Sequence, residues 1–489
     1  MSDKSLKTEA TKGMVWSVIQ RFSQMGVQLI SSIILARLLT PDDFGAIGLL
    51  SIFILLSNTF MDGGFGSALI QKKNPSSEDY STIFWWNLGM SLLLYMTLFL
   101  TAPFIAKFYR MDVLCPVLRI HAIGIIIGSF TSIQSNILNK SFKFKKIAIV
   151  SVCAQLISLI ATIVLALLGY GVWSLVAQNI IYASVTSFCY WYNSSWKPQF
   201  IFSKKSFKEL GTFCIFKLTT NVINVISNNK QGLLIGRFFN AATMGFYSKA
   251  KNTEMMASTA LSSSINQVTY PLYSALQNDR AALISTIKKI TTTVAFLTFP
   301  LMLLLMVIGK SIFVFLYSDR WLESVPYFQI LCIAGIAQCL QAANLQPLNA
   351  IGKSKTTFSR NLIKQIFGVT IIICCLFFGG MKGLLIGMVV NSWQHYIINA
   401  LLVSKHIGYK VIQQIKDLLP ILVLSIVAFM LAVLIAKILV LPIYLDAAIK
   451  GIIYLLVYYS GVRIFKVEAY NSFINMLPLL TSKFKKRNK

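Results

Sequence analysis

The chain has 489 residues, 56% hydrophobic and 12% charged, against about 25% charged in an average soluble domain. That composition excludes a soluble globular protein and predicts an all-α polytopic membrane protein. The formal net charge is +29, but the basic residues lie between apolar spans and form no single patch, so nucleic acid is not an expected partner.

Residues 1–13 are polar and carry no signal-peptide pattern. About fourteen spans follow, roughly 14–36, 43–70, 81–106, 114–138, 147–168, 171–192, 210–236, 243–274, 287–317, 325–350, 356–378, 383–404, 417–436 and 443–462. Each is near or above the ~20 residues needed to cross a bilayer. The odd-numbered junctions are sparse in Lys and Arg, with Arg37, Arg237, Arg320 and Lys382 among the few. The even-numbered junctions and the termini are rich, as in Lys72-Lys73, Lys140 to Lys146, Lys204-Lys205 and the tail Lys483 to Lys489. The positive-inside rule then puts both termini in the cytoplasm, which requires an even number of spans. The eight cysteines read as apolar filler, and neither they nor the three histidines show metal-ligand spacing.

The first and seventh spans carry the same polar stripe. Ser17, Arg21, Gln24, Gln28 and Ser31 recur in spacing as Lys217, Asn221, Asn224, Asn228 and Gln231, 200 residues on. On a helix that spacing places all five side chains on one face. Both stripes lead into a matching turn, Arg37 to Gly45 and Arg237 to Gly245. In the second span Ser51, Asn58 and Asp62 share a face, and they map at the same offset onto Lys251, Ser258 and Ser262 of the eighth, where Glu254 joins them. Polar faces in a membrane helix cannot face hydrocarbon, so they must face a cavity or another helix.

The repeat continues. Residues 117–141 align with 330–354, and the hairpin at Gly169-Tyr170-Gly171 matches Gly379-Gly380. Six spans read twice in one direction give two lobes of parallel topology, the arrangement of a transporter with its pathway between them. The expected organisation is a cytoplasmic N-terminus at 1–13, a first lobe at 14–192 and a cytoplasmic linker at 193–209. A second lobe at 210–404, two extra spans within 405–462 and a basic cytoplasmic tail at 463–489 complete it.

Four motifs carry a resemblance: Leu35-Ala36-Arg37-Leu38-Leu39-Thr40-Pro41 with Asp43-Phe44-Gly45; Asp62-Gly63-Gly64-Phe65-Gly66 with Ala68-Leu69-Ile70-Gln71; Gly245-Phe246-Tyr247-Ser248-Lys249-Ala250; and Tyr270-Pro271-Leu272-Tyr273-Ser274 with Leu276-Gln277. In this order and at these spans they resemble the polysaccharide branch of the multidrug/oligosaccharidyl-lipid/polysaccharide exporter superfamily, the Wzx-type flippases with their teichuronic- and colanic-acid relatives. Lys249 stands where that family usually has Arg. The resemblance implies a MATE-like fold of two six-helix lobes plus two helices in a bacterial inner membrane. It implies export, for surface polysaccharide synthesis, of an oligosaccharide linked to undecaprenyl pyrophosphate. Membrane lipids, and polysaccharide polymerase or chain-length proteins, are the other partners it suggests. A peptidoglycan lipid II flippase and a MATE-type cation or drug antiporter are the alternatives. A membrane glycosyltransferase fits worst, since the junctions are short and no catalytic constellation is present.

Arg21, Lys217 and Lys251 are the intramembrane cations of interest. They could form interlobe ion pairs with Asp62 and Glu254 that hold one transport state closed, or a cationic cavity for a phosphate or pyrophosphate. Gln24, Gln28, Asn221, Asn224 and Asn228 are either helix–helix glue or sugar-hydroxyl contacts. Asp62 and Glu254 are also candidate carboxylates for H+ or Na+ coupling; no cofactor and no metal site are expected. Lys230 lies off the stripe, where a snorkelling ammonium would fit. Gly63, Gly64 and Gly66 serve either bending or close packing.

Overall fold

The computed structural model describes residues 3–438, 442–465 and 470, and over these the chain is helical, with no strand. The basic tail beyond 470 and the junction at 439–441 lie outside the described residues. In chain order the helices are α1 (Asp3–Leu38), α2 (Pro41–Asp62), α3 (Phe65–Gln71), α4 (Ser77–Tyr109), α5 (Leu114–His121), α6 (Ile123–Lys140), α7 (Phe144–Leu167) and α8 (Val172–Asn193). They continue as α9 (Lys204–Phe238), α10 (Ala241–Ala275), α11 (Arg280–Tyr317), α12 (Ser324–Ala350), α13 (Ser354–His406), α14 (Val411–Ile438) and α15 (Ile443–Ile464).

Among the described residues, ten helices or helix pairs are long and apolar enough to cross a membrane. The helices α1, α9 and α10 have 36, 35 and 35 residues, ample length for a crossing, but they carry the polar stripes. The long α13 is two limbs, broken by non-helical backbone at Gly379 and Gly380. Gly380 (φ 55°, ψ −136°) and Gly171 (φ 52°, ψ −127°) share one backbone conformation, so the two hairpins of the repeat match in geometry as well as in sequence.

The helix ends are written in capping chemistry. Thr40 caps α2 in a capping box: its hydroxyl accepts from Asp43 N–H (3.3 Å), and its own N–H donates to Asp43 Oδ2 (2.9 Å). At the start of α10, 200 residues later, Asn240 Oδ1 accepts from Thr243 N–H at 2.8 Å. The repeat keeps the cap and changes the residues that make it. Ser76 and Asp79 box the start of α4 in the same way. At the other end of α3, Lys140 of α6 donates to the carbonyls of Leu69 (2.9 Å) and Ile70 (3.2 Å) and to that of Lys72, satisfying groups the helix terminus leaves open.

The chain forms two compact units, Met1–Ser248 and Lys249–Lys489. In the first, α1 packs along α7, α7 and α6 pack on α8, and α9 packs along α2. One core of this unit gathers Phe65, Phe84, Ile133 and Leu210 with Trp85, Trp86 and Trp191 around them. In the second, α11 packs on α12, α14 and α15, and α12 on α13. There Lys364, 3% exposed, donates to Asn399 Oδ1 at 2.9 Å across the two limbs of α13. Asn344, fully buried, donates to Gln414 Oε1 at 3.1 Å. Spans of this unit outside α10 therefore contain buried polar pairs.

Candidate functional site

The first unit holds both stripes. On α1 the contacts to its neighbours come from Gln20 beside the stripe, from the Gln24 backbone and from Ser31 at the end of the stripe. Gln20 donates to Ser151 Oγ of α7 at 3.2 Å, and Gln155 of α7 donates to the Gln24 carbonyl at 3.3 Å. At the far end Gln178 of α8 donates to Ser31 Oγ at 3.2 Å, and Ser31 is buried. Arg21 and Gln28 are exposed and Gln24 is half-buried. The second stripe divides likewise. Gln231 is buried, Asn221 is half-buried, and Lys217, Asn224 and Asn228 are exposed. Among the described residues Arg21, Gln28, Asn224 and Asn228 have neither hydrogen-bond nor ion-pair partners. Lys230, off the stripe, is buried rather than reaching out to a surface.

Asp62 sits where the second span breaks. Gly63 (φ 57°) and Gly64 (φ 85°) are both in the left-handed region, so α2 ends and α3 restarts in a new direction. The Asp62 carboxylate accepts from Gly64 N–H at 3.2 Å, holding the break closed on itself. A Cβ on Gly64 would lie 3.1 Å from Lys217 Cβ and 3.3 Å from the Cys214 carbonyl, so the absent side chain also lets α9 come in. Bending and close packing are thus one device. It brings Lys217 near enough to Asp62 to act on it electrostatically. A spanning segment with irregular backbone is where membrane transporters commonly place polar chemistry.

At the rim of this unit Lys72 bridges Asp79 (3.0 Å) and Glu209 (3.2 Å). Partial burial pushes its ammonium pKa down, but the hydrogen bonds to the two carboxylates outweigh it and hold it above the ordinary lysine value. Arg237, in the last turn of α9, donates to the Phe108 carbonyl at 3.2 Å and lies 5.1 Å from that ring, which anchors the end of the helix.

In the second unit α10 carries the remaining candidates. Lys251 Nζ and Glu254 Oε2 form an ion pair at 3.0 Å; Glu254 is wholly buried and Lys251 is 24% exposed. The other oxygen, Oε1, has no hydrogen-bond partner among the described residues and lies against Gly335 of α12, where any side chain would collide with it. Ser262 donates to Cys339 Sγ at 3.4 Å. Sequence reasoning gave Lys249 no role beyond its place in a motif. It is 3% exposed, with Nζ 4.7 Å from the Tyr317 ring centroid and 5.0 Å from that of Trp321. Thr253, one turn on, meets Tyr317 Oη at 3.1 Å. The departure from the family's arginine was the one signal in the sequence at this position.

Long helices with polar stripes, apolar spans, an interrupted second span and short capped turns define a multispan membrane transporter fold. Solved structures place it further. The lipid II flippase MurJ, in an inward closed conformation, superimposes with a TM-score of 0.74 over 94% of this chain and 100% of its own, at 19% identity. An inward-facing multidrug resistance transporter of the MATE family, in the MOP superfamily, gives 0.63 over 81% of this chain and 98% of its own, at 16% identity. The chain belongs to the polysaccharide biosynthesis protein family whose model matches residues 34–326. Relatives include the teichuronic acid biosynthesis protein TuaB of Bacillus subtilis, 24% identical over 72% of this chain and 74% of its own. The lipopolysaccharide biosynthesis protein WzxC of Escherichia coli is 24% identical over 81% and 80%, and the succinoglycan biosynthesis transport protein ExoT of Rhizobium meliloti 24% over 73% and 72%.

Proposed function

We propose that the chain flips an undecaprenyl-pyrophosphate-linked oligosaccharide from the cytoplasmic to the outer leaflet of a bacterial inner membrane. The protein crosses fourteen times with both termini cytoplasmic, and it works by alternating access of two six-span lobes, 14–192 and 210–404. It is a transporter, not an enzyme. Arg21 and Lys217, with Gln24, Gln28, Asn221, Asn224 and Asn228, receive the headgroup, and Lys251 lies on the matching face of α10.

The observation that carries this reading is the state of the first stripe. Arg21 is exposed on a membrane helix with no carboxylate partner among the described residues. An arginine facing hydrocarbon is costly, so a polar cavity is the environment that suits it. A guanidinium in a cavity of low dielectric binds phosphate oxygens as a fork, and Lys217 adds a point charge. Amides along the same face then suit sugar hydroxyls. The names of the relatives, all tied to surface polysaccharides, favour an oligosaccharide cargo over lipid II, although the fold is shared with a lipid II flippase. An antiporter of cationic drugs would call for acidic residues where Arg21 stands.

A strain lacking the gene tests the substrate class. It should accumulate undecaprenyl-linked oligosaccharide on the cytoplasmic face and clear it when the gene is restored. An unchanged lipid-linked oligosaccharide profile, or accumulation of lipid II instead, would overturn the reading.

A further inference from the structure

Residues 194–203, between α8 and α9, form no helix, yet four hydrogen bonds fix them to the first turns of α4. Gln199 N–H donates to Ser81 Oγ and Ser203 N–H to Thr82 Oγ1, each at 3.1 Å. Trp85 Nε1 donates to the Gln199 carbonyl at 2.8 Å, and Trp196 Nε1 to Ser77 Oγ at 3.1 Å. Trp196 turns inward, edge-on to Tyr80 and Phe84. Phe200 stacks on Trp85 with ring centroids 5.0 Å apart, and yet it is 93% exposed. Ile201 and Phe202 beside it are exposed as well. The connection between the lobes is therefore a rigid strap that holds an aromatic, apolar edge outward.

The strap and the first turn of α9 that follows it are basic. Lys197, Lys204 and Lys205 are exposed, and among the described residues none of the three has a carboxylate partner. The acid that follows them, Glu209, is already engaged by Lys72 at 3.2 Å. A pinned ring with its face in the open loses apolar burial that a soluble surface would not restore. Aromatic rings at the boundary of a bilayer, flanked by lysine, recover that burial among acyl chains while the ammonium groups stay at headgroup depth. The occupant must offer hydrocarbon and negative charge within a few ångströms of each other, which a phospholipid with an anionic headgroup does.

We propose that residues 192–205 are a preformed site for anionic phospholipid, with Phe200, Ile201 and Phe202 among the acyl chains and Lys197, Lys204 and Lys205 on the headgroup phosphate. The strap holds the lobe's edge at a fixed depth in the charged leaflet, and this property is separate from the flipping reaction.

The test uses the full-length protein in nanodiscs of mixed phosphatidylglycerol and phosphatidylethanolamine. The protein is transferred to detergent and its retained lipid is measured by native mass spectrometry. Wild type should keep phosphatidylglycerol in preference. Lys197→Gln alone, which leaves α9 untouched, should lower that preference about fivefold, and the triple Lys197→Gln/Lys204→Gln/Lys205→Gln variant by at least about tenfold. Phe200→Ser should reduce retention of both lipids. A control variant with Lys73→Gln, Lys143→Gln and Lys146→Gln, equally exposed but off the strap, should behave as wild type. Unchanged selectivity in the strap variants, or an equal fall in the control, would overturn the proposal. So would displacement of phosphatidylglycerol from the strap by added undecaprenyl phosphate at far lower concentration, since the strap would then be a substrate site.

Discussion

Gly45 and Gly245 are packed against each other's turns in a reciprocal way. A Cβ on Gly45 would strike the carbonyl of Ala241, and a Cβ on Gly245 would strike the carbonyl of Pro41, the residue 200 positions before Ala241. Contact of i with j, and of j's counterpart with i's, is what a two-fold axis requires. The parallel repeat seen in the stripes therefore has a physical meeting point at the two capped turns. Both glycines are needed because backbone meets backbone there, and a side chain has nowhere to move.

Equal consequences follow for the two glycines. Gly45→Leu and Gly245→Leu should each destabilise the solubilised protein by about 1–3 kcal/mol, the usual range for overpacking. Gly89→Leu, at a position with open space around it, should change little. Thermal unfolding in detergent checks this. A neutral result at one glycine and a large loss at the other would contradict the symmetry.

Lys251 and Glu254 give an asymmetric pair of outcomes. Removing the lysine leaves a wholly buried carboxylate uncompensated, and its second oxygen already lacks a partner. Lys251→Ala should lose about 3–5 kcal/mol and express poorly. Adding Glu254→Gln should restore most of the yield, because the amide carries no charge to strand. Membrane yield and thermal midpoint of the single and double variants decide it. A well-folded Lys251→Ala protein would show that the ion pair contributes nothing.

Asp62 is held by the backbone of its own break. Asp62→Asn keeps an acceptor for Gly64 N–H and should cost less than about 1 kcal/mol, while Asp62→Leu removes the acceptor and should cost about 1–3 kcal/mol. Asp62→Asn should also retain export within about a few fold. Loss of export in a stable Asp62→Asn protein would instead assign the carboxylate to ion coupling.

Much of this was legible in the sequence because the repeat is direct. The 200-residue offset aligned the stripes and the capped turns, an offset of about 210 aligned the hairpin glycines, and the turns and hairpins have matched geometry. Hydropathy located the apolar spans but not where helices end, since ends are set by caps such as Ser76 with Asp79, outside the apolar run. Nor does hydropathy pair Lys364 with Asn399 or Asn344 with Gln414. These pairs depend on the register between neighbouring helices, which no single span encodes. The Asp62-Gly63-Gly64 run announced special backbone, yet its approach to Lys217 needed the packing of α9 on α2. The burial of Lys249 between Tyr317 and Trp321 likewise joins segments nearly 70 residues apart, with no periodicity to link them.

The central claim is that Arg21 and Lys217 hold an anionic headgroup. A cation in a wet cavity can be removed with little effect on stability, because no buried partner is stranded. Arg21→Ala should therefore express and insert with unfolding shifted by less than about 1 kcal/mol, and Lys217→Ala, which also withdraws a charge from half-buried Asp62, should still insert at a cost of about 1–3 kcal/mol. The decisive measurement is transport of a fluorescent pyrophosphate-linked oligosaccharide lipid across liposomes that contain the purified protein. Each alanine variant should flip it at least about tenfold more slowly than wild type, which corresponds to about 1.4 kcal/mol of lost interaction. Arg21→Lys should recover part of the rate by keeping the charge without the fork. Wild-type rates in both alanine variants would contradict the cationic site.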